Sequence, residues 1–258
     1  MTRMLLAAVL ALVAGVPALA DVTIKATANS KGFGLSGATT SVTYIKGLKM
    51  RVEATIGNKN LISIYDVDAQ KMYILNTKKK EVDALDMAAF SQEMSKSVSV
   101  EGMHATLKPN GQAKTINGHN AEGYDIDIVV PATVAGSPMT IAMTGTSWIA
   151  KGAPGSAEYS AFYKGAAEKG WIFTDPRAAT AQPGQAKAMA EMYTQFAQIG
   201  GIPLESQMDI KATGEGMVAA AMARMGSVST TTTIDSVETG PLADDLFAPP
   251  ADYALKQQ

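Results

Sequence analysis

Asp125 and Asp127 are set two residues apart, a spacing that acid–base chemistry could use. On an extended strand such residues share a face, so the two carboxyls could divide the roles of proton donor and acceptor. The solvated face of an amphipathic strand has the same spacing. Tyr124, Ile126 and Ile128 supply the apolar alternate positions it requires, and that is the simpler explanation. Gly32-Phe33-Gly34-Leu35-Ser36-Gly37 matches the pattern of a dinucleotide loop. That loop must open a helix whose amides hold the pyrophosphate, and here a Thr-rich strand follows, so a bend between strands is expected. Asp66-Val67-Asp68 starts like a calcium loop but lacks its third acid, its glycine and its distal Glu, and it reads as a turn.

Metal chemistry fares no better. There are two histidines, His104 and His119, and no cysteine. Met189/Met192 and Met222/Met225 have thioethers that suit copper(I), yet on helical or strand faces methionine usually packs. No motif frames any of the many Ser and Thr residues as a nucleophile. The expectation is a protein without enzymatic activity, metal or cofactor.

The elements that position these residues are more informative. Ser41–Lys46, Lys49–Thr55, Leu61–Asp66, Lys71–Asn76 and Glu81–Asp86 are short segments, most of them alternating apolar and polar residues, with turn residues between them. They read as a β-meander, a long antiparallel sheet with one apolar face. Met50, Val52 and Ala54 face one way and Lys49, Arg51 and Glu53 the other. Val22, Ile24 and Ala26 mark a first strand, broken by the glycine-rich piece Lys31–Gly37. Pro109-Asn110-Gly111 and Asn117-Gly118 are turn signals. Ala121–Val130, Met139–Ala150, Ile202–Ala212 and about Val218–Val237 read as further strands.

Three helices interrupt the pattern. Asp86 is placed to cap one through about Val98, with Met87, Phe90, Met94 and Val98 on its apolar face. Ser156 is placed to cap a second that ends at Gly170, carrying Tyr159, Phe162, Tyr163, Ala166 and Ala167. A loop bracketed by Asp175-Pro176 and Pro183-Gly184 leads to a third helix, about Gln185–Ile199, with Met189, Tyr193 and Phe196 as its stripe and Gly200-Gly201 as its stop. Helices this short are marginal alone in water, so their stripes must dock on the sheet. The 15 methionines are compatible with a surface that adapts to apolar ligands and also with simple gap filling.

Hydrophobic residues make up 47% of the 258 residues and the net charge is −2. That balance is globular and lacks the basic excess of a nucleic-acid binder. Residues 1–20 read as a signal peptide: Arg3, then the apolar run Met4–Val13, then the small-x-small site Ala18-Leu19-Ala20. The run is too short to span a bilayer, and no other run is long enough, so no transmembrane segment is expected after cleavage. Without cysteine no lipid can be attached at that site. A soluble product exported to a bacterial periplasm is expected, with residues 21–258 forming one domain.

Three stretches carry a family resemblance. They are Tyr44 to Glu53 with Tyr65-Asp66-Val67-Asp68 and Lys71 to Leu75, then Ile116-Asn117-Gly118 with Ala121-Glu122-Gly123-Tyr124, and the tail Leu246-Phe247-Ala248-Pro249-Pro250-Ala251-Asp252-Tyr253. Together they resemble an uncharacterised family of exported bacterial proteins similar in fold to the Lol-type periplasmic lipoprotein carriers. Asp252 departs from the pattern, where a glycine is common. The resemblance implies a mainly β fold with some α: a curved antiparallel sheet, or open half-barrel, covered by a few helices as a lid. It implies a periplasmic binding or carrier protein for a lipid, lipoprotein or other hydrophobic ligand, with no catalytic residue to carry over. The sheet candidates for that site are Met50, Val52, Tyr124, Ile126 and Ile128. The lid candidates are Tyr159, Phe162, Tyr163, Met189, Tyr193 and Phe196. The alternative is a structural or interaction module of the cell envelope, with a filled core and an envelope protein as partner.

Overall fold

In the computed structural model the described residues are 20–32, 35–97, 102–134, 137–173, 183–215, 217, 220–221, 224 and 226–257. The signal-peptide reading, the Asp175-Pro176 loop, Val98 and the pair Met222/Met225 lie outside them. The described residues form a mainly β structure with a few helices. In chain order the strands are β1 (Val22–Gly32), β2 (Leu35–Lys46), β3 (Lys49–Ile56), β4 (Lys59–Asp66), β5 (Lys71–Asn76), β6 (Glu81–Asp86), β7 (His104–Ile116), β8 (His119–Val134), β9 (Ser137–Ala150), β10 (Ile202–Gly214), β11 (Val228–Thr239) and β12 (Ala254–Gln257). They make one open sheet in the order β12-β6-β5-β4-β3-β2-β1-β11-β10-β9-β8-β7. All pairings are antiparallel except β12 with β6.

The meander forms where its alternation places it. Asp66 Oδ1 accepts from the Ala69 amide and Asn76 Oδ1 from the Lys79 amide, so each hairpin is closed by its own turn residue. Asn117 and Gly118 both take positive φ, 50° and 79°, the two-residue turn that matches strand twist. Pro109-Asn110-Gly111 makes no hairpin. β7 runs through it, and Pro109 pairs with Tyr124 while Ala113 pairs with Glu122, so the stretch is a bulge. β1 and β2 also run further into the glycine-rich piece than expected, pairing as far as Gly32 with Leu35. The last long strand starts at Val228, later than the expected Val218; residues 217, 220, 221 and 224 are helical. An Ala- and Met-rich run favours helix over strand.

The sheet is strongly curved. Adjacent strands lie roughly 4.8 Å apart, so β7 and β10 would be about 14 Å apart if the sheet were flat. Lys114 of β7 nevertheless meets Glu205 of β10 at 2.7 Å, and the Asn117 side-chain amide donates to the Ile234 carbonyl of β11 at 3.0 Å. Gly145 of β9 has no room for a side chain beside β10: a Cβ there would stand 1.9 Å from the Gln207 carbonyl oxygen.

Three helices cover parts of this sheet: α1 (Met87–Ser97), α2 (Ser156–Glu168) and α3 (Pro183–Ile199). α1 is capped as expected, with Asp86 Oδ1 accepting from the Ala88 and Ala89 amides, each at 3.1 Å. Lys71 beside it, together with these amides, holds the Asp86 carboxyl below the usual carboxylate range. Ser156 is no cap. Gly155 occupies that position, and the Ser156 hydroxyl donates instead to the Lys151 carbonyl at 2.7 Å. α2 ends in a Schellman motif: the Gly170 amide donates to Ala167 O and the Trp171 amide to Ala166 O. α3 packs over β7 and β8 and closes one free edge. The Gln195 side chain accepts from the Leu107 amide at 2.7 Å and donates to the Ala105 carbonyl, taking the place of a neighbouring strand on β7.

The expectation of a single apolar face fails for β4, β5 and β6. Met72 and Leu85 join the core beneath the helices, while Ile64, Leu75 and Val82 form a separate buried group with Ile62, Tyr73 and Tyr253. Successive side chains of a strand point to opposite faces, so both faces are covered here. The cover comes from the tail. A 3-10 turn (Asp244–Phe247) buries Phe247 to 3% exposure and packs against β3 and β4, and Arg51 donates to the Leu246 carbonyl.

Candidate functional site

α2 presents Tyr159, Phe162 and Tyr163 at successive turns toward the sheet. Phe162 is fully buried and Tyr163 is buried. Their rings meet others from outside α2: Tyr163 stacks on Tyr193 of α3 at 5.4 Å between centroids, and Phe173 contacts Tyr193 at 4.9 Å and Tyr163 at 5.2 Å. The Tyr163 hydroxyl donates to Met50 Sδ at 4.0 Å, and Val52 packs against the same core. Six of the candidates named from the sequence therefore lie together: Met50, Val52, Tyr159, Phe162, Tyr163 and Tyr193. Tyr124, Ile126, Ile128 and Phe196 lie in a second group, with Ala188 and Met192 of α3. Met189 is half-buried and belongs to neither group; Met192, one turn on, is the methionine of α3 that is buried.

Burial pushes the hydroxyls of Tyr159, Tyr163 and Tyr193 above the ordinary phenol value, so all three stay neutral in the fold. Lys49 and Lys151 are raised in the same direction by their hydrogen bonds to Asp66 and Glu122. A group whose pKa is raised by folding contributes stability that is complete below its unfolded value and is lost as pH rises through the folded one. The melting temperature should therefore be flat from neutral pH to about 9 and fall above about 10, where free tyrosine titrates. Tyr163→Phe should make that fall shallower. A melt that stayed level to pH 11, or a variant with an unchanged slope, would contradict the assignment.

A second feature lies between the helices. A groove of about 570 Å³ runs between α1, the stretch that follows α2, and α3. Ala167, Trp171, Ile172 and Ala190 line it together with Ser91, Gln92, Lys187, Glu191, Thr194 and Gln195. Trp171 is 3% exposed, and its Nε1–H has no hydrogen-bond partner among the described residues. The Ser91 hydroxyl is buried and likewise has none. An unmade hydrogen bond at a buried donor costs roughly 1–3 kcal/mol, so two such atoms in one groove call for a physical account.

None of the groove residues is among the site candidates read from the sequence. One signal was available: an isolated Trp directly behind a helix-stopping glycine, where the Schellman amide of Trp171 fixes its backbone and so its ring. A smaller polar recess of about 270 Å³ includes Glu122 and Lys151. Lys151 and the Tyr124 hydroxyl, both bonded to Glu122, hold that carboxyl below its usual range. Asp125 is exposed and accepts from Asn110 and Thr146; Asp127 is exposed and sits 3.3 Å from His104. Among the described residues no group of three or more His, Cys, Asp or Glu is placed to hold a metal ion, and no helix is long and apolar enough to cross a membrane.

No family model and no curated protein matches the chain. Several solved structures share part of its course. PNGF-II aligns over 93% of this chain at 10% identity and a TM-score of 0.39, and the chain spans 31% of that protein's length. An uncharacterized conserved protein from Thermus thermophilus aligns over 93% of this chain and 91% of its own at 8% identity and a TM-score of 0.39. A domain from Vibrio parahaemolyticus described as an outer membrane lipoprotein-sorting protein aligns over 89% and 90% of the two chains at 10% identity and a TM-score of 0.31. Likenesses of this degree carry no argument about function.

Proposed function

We propose that this protein is a non-enzymatic binding or carrier protein of the bacterial cell envelope for a lipid or other hydrophobic ligand, held in the groove between α1, Gly170–Ile172 and α3. The observation that supports the reading is the groove itself. Its volume of about 570 Å³ suits a small-molecule site, and apolar walls there surround a few buried polar atoms. The layer beneath α2 is filled by the rings of Phe162, Tyr163 and Phe173, which favours the groove over the sheet surface as the place of binding. The pattern of residues 1–20 supports export to the periplasm.

The test is solvent extraction and mass spectrometry of full-length protein isolated from a bacterial periplasm. About one lipid per chain, retained through purification, is the expected result. Lipid no greater than on an unrelated periplasmic protein handled in parallel would sink the reading. It would favour the second one, a structural or interaction module of the envelope, which the ring-filled layer supports.

A further inference from the structure

We infer that the ligand of the groove is an amphiphile whose head presents an oxygen acceptor to Trp171 Nε1–H and Ser91 Oγ. The inference rests on the groove being a ligand site and adds the chemistry of the ligand's head. Trp171 is nine-tenths buried and more, lines the groove, and carries a donor without a partner. Indole Nε1–H can only donate, so what it lacks is an acceptor. The Ser91 hydroxyl, from α1, is the second such atom among the described residues and belongs to the lining of the same groove. Ala167, Ile172 and Ala190 offer the rest of the ligand only apolar contact. A carboxylate or an ester carbonyl at the end of an acyl chain meets both demands. A pure hydrocarbon would leave both polar atoms unmatched.

The experiment uses the full chain and displacement of N-phenyl-1-naphthylamine, an apolar dye without oxygen. The competitors are palmitate and monopalmitin, a free carboxylate and an ester of the same chain. Trp171→Phe keeps an aromatic ring and removes the N–H; Ser91→Ala removes the hydroxyl. Each variant should bind the dye within about twofold of wild type and palmitate about tenfold more weakly, the scale of one lost hydrogen bond to a charged group. Displacement by palmitate alone assigns a carboxylate head, and displacement by both assigns a carbonyl oxygen. Either result supports the inference if the variants weaken it. Dye and palmitate binding at wild-type strength in both variants would overturn the inference and leave the groove standing. Wild-type protein that takes up neither dye nor palmitate would overturn the groove reading and the inference with it. Should Trp171→Phe fail to fold, Ser91→Ala decides alone.

Discussion

Phe162→Ala is expected to destabilise the protein by about 3–5 kcal/mol, among the larger effects open to a single substitution here. Phe162 is fully buried, and its ring is shared between α2 and its surroundings, 5.2 Å from Tyr163 and 5.8 Å from Phe173. Removing it takes away the transfer energy of the ring and leaves a space that α2 cannot close without parting from Tyr193 of α3. In a chain of this size that loss lowers the melting temperature by roughly 10 °C. Tyr163→Phe is the matched control. It keeps the ring and loses only the hydroxyl's bonds, the long one to Met50 Sδ and the one shared with the Tyr159 hydroxyl, so its melt at neutral pH should move by no more than about 4 °C. Scanning calorimetry on the three proteins checks both values, and a Phe162→Ala melt within about 2 °C of wild type would show that the ring layer carries little of the stability.

Gly145→Val should be at least as damaging, about 3 kcal/mol or more, for a different reason. The β-carbon alone would stand 1.9 Å from the Gln207 carbonyl oxygen and 2.9 Å from Met208 Cα. Both are backbone atoms of the adjacent strand, which cannot swing aside as a side chain would, so β9 and β10 must separate at this point. Gly37→Ala is the comparison, since a β-carbon there meets nothing within 4 Å. Urea unfolding should show a large drop in midpoint for the first variant and little change for the second. Hydrogen exchange should speed up in β9 and β10 before it does in β3 or β4. Equal midpoints for the two variants would refute this account.

The sequence made the sheet readable wherever a strand has one dry and one wet face, as in β3 with Met50 and Val52 or β8 with Tyr124, Ile126 and Ile128. The turn at Asn117-Gly118 and the cap at Asp86 were readable because each is local chemistry. Asn110-Gly111 was not, because the same residues serve a hairpin or a bulge, and only the pairing of Pro109 and Ala113 with β8 distinguishes them. The second buried face of β4–β6 takes in Tyr253, which arrives from a tail more than a hundred residues away. The groove was least accessible of all. Ser91, Trp171 and Gln195 come from three segments with no shared spacing, and docking alone makes them neighbours.

The seam at the middle of the sheet joins strands from near the two ends of the chain. β1 pairs with β11, where Lys25 and Glu238 meet although they stand 213 residues apart. Hairpins such as β3–β4 and β7–β8 close short loops and form quickly, whereas this seam must wait until almost the whole chain is present and must overcome a large loop-closure entropy. The protein should therefore fold slowly, with the β2–β6 meander early and the β1–β11 ladder last. A chain with that order stays loosely structured until its final strands emerge.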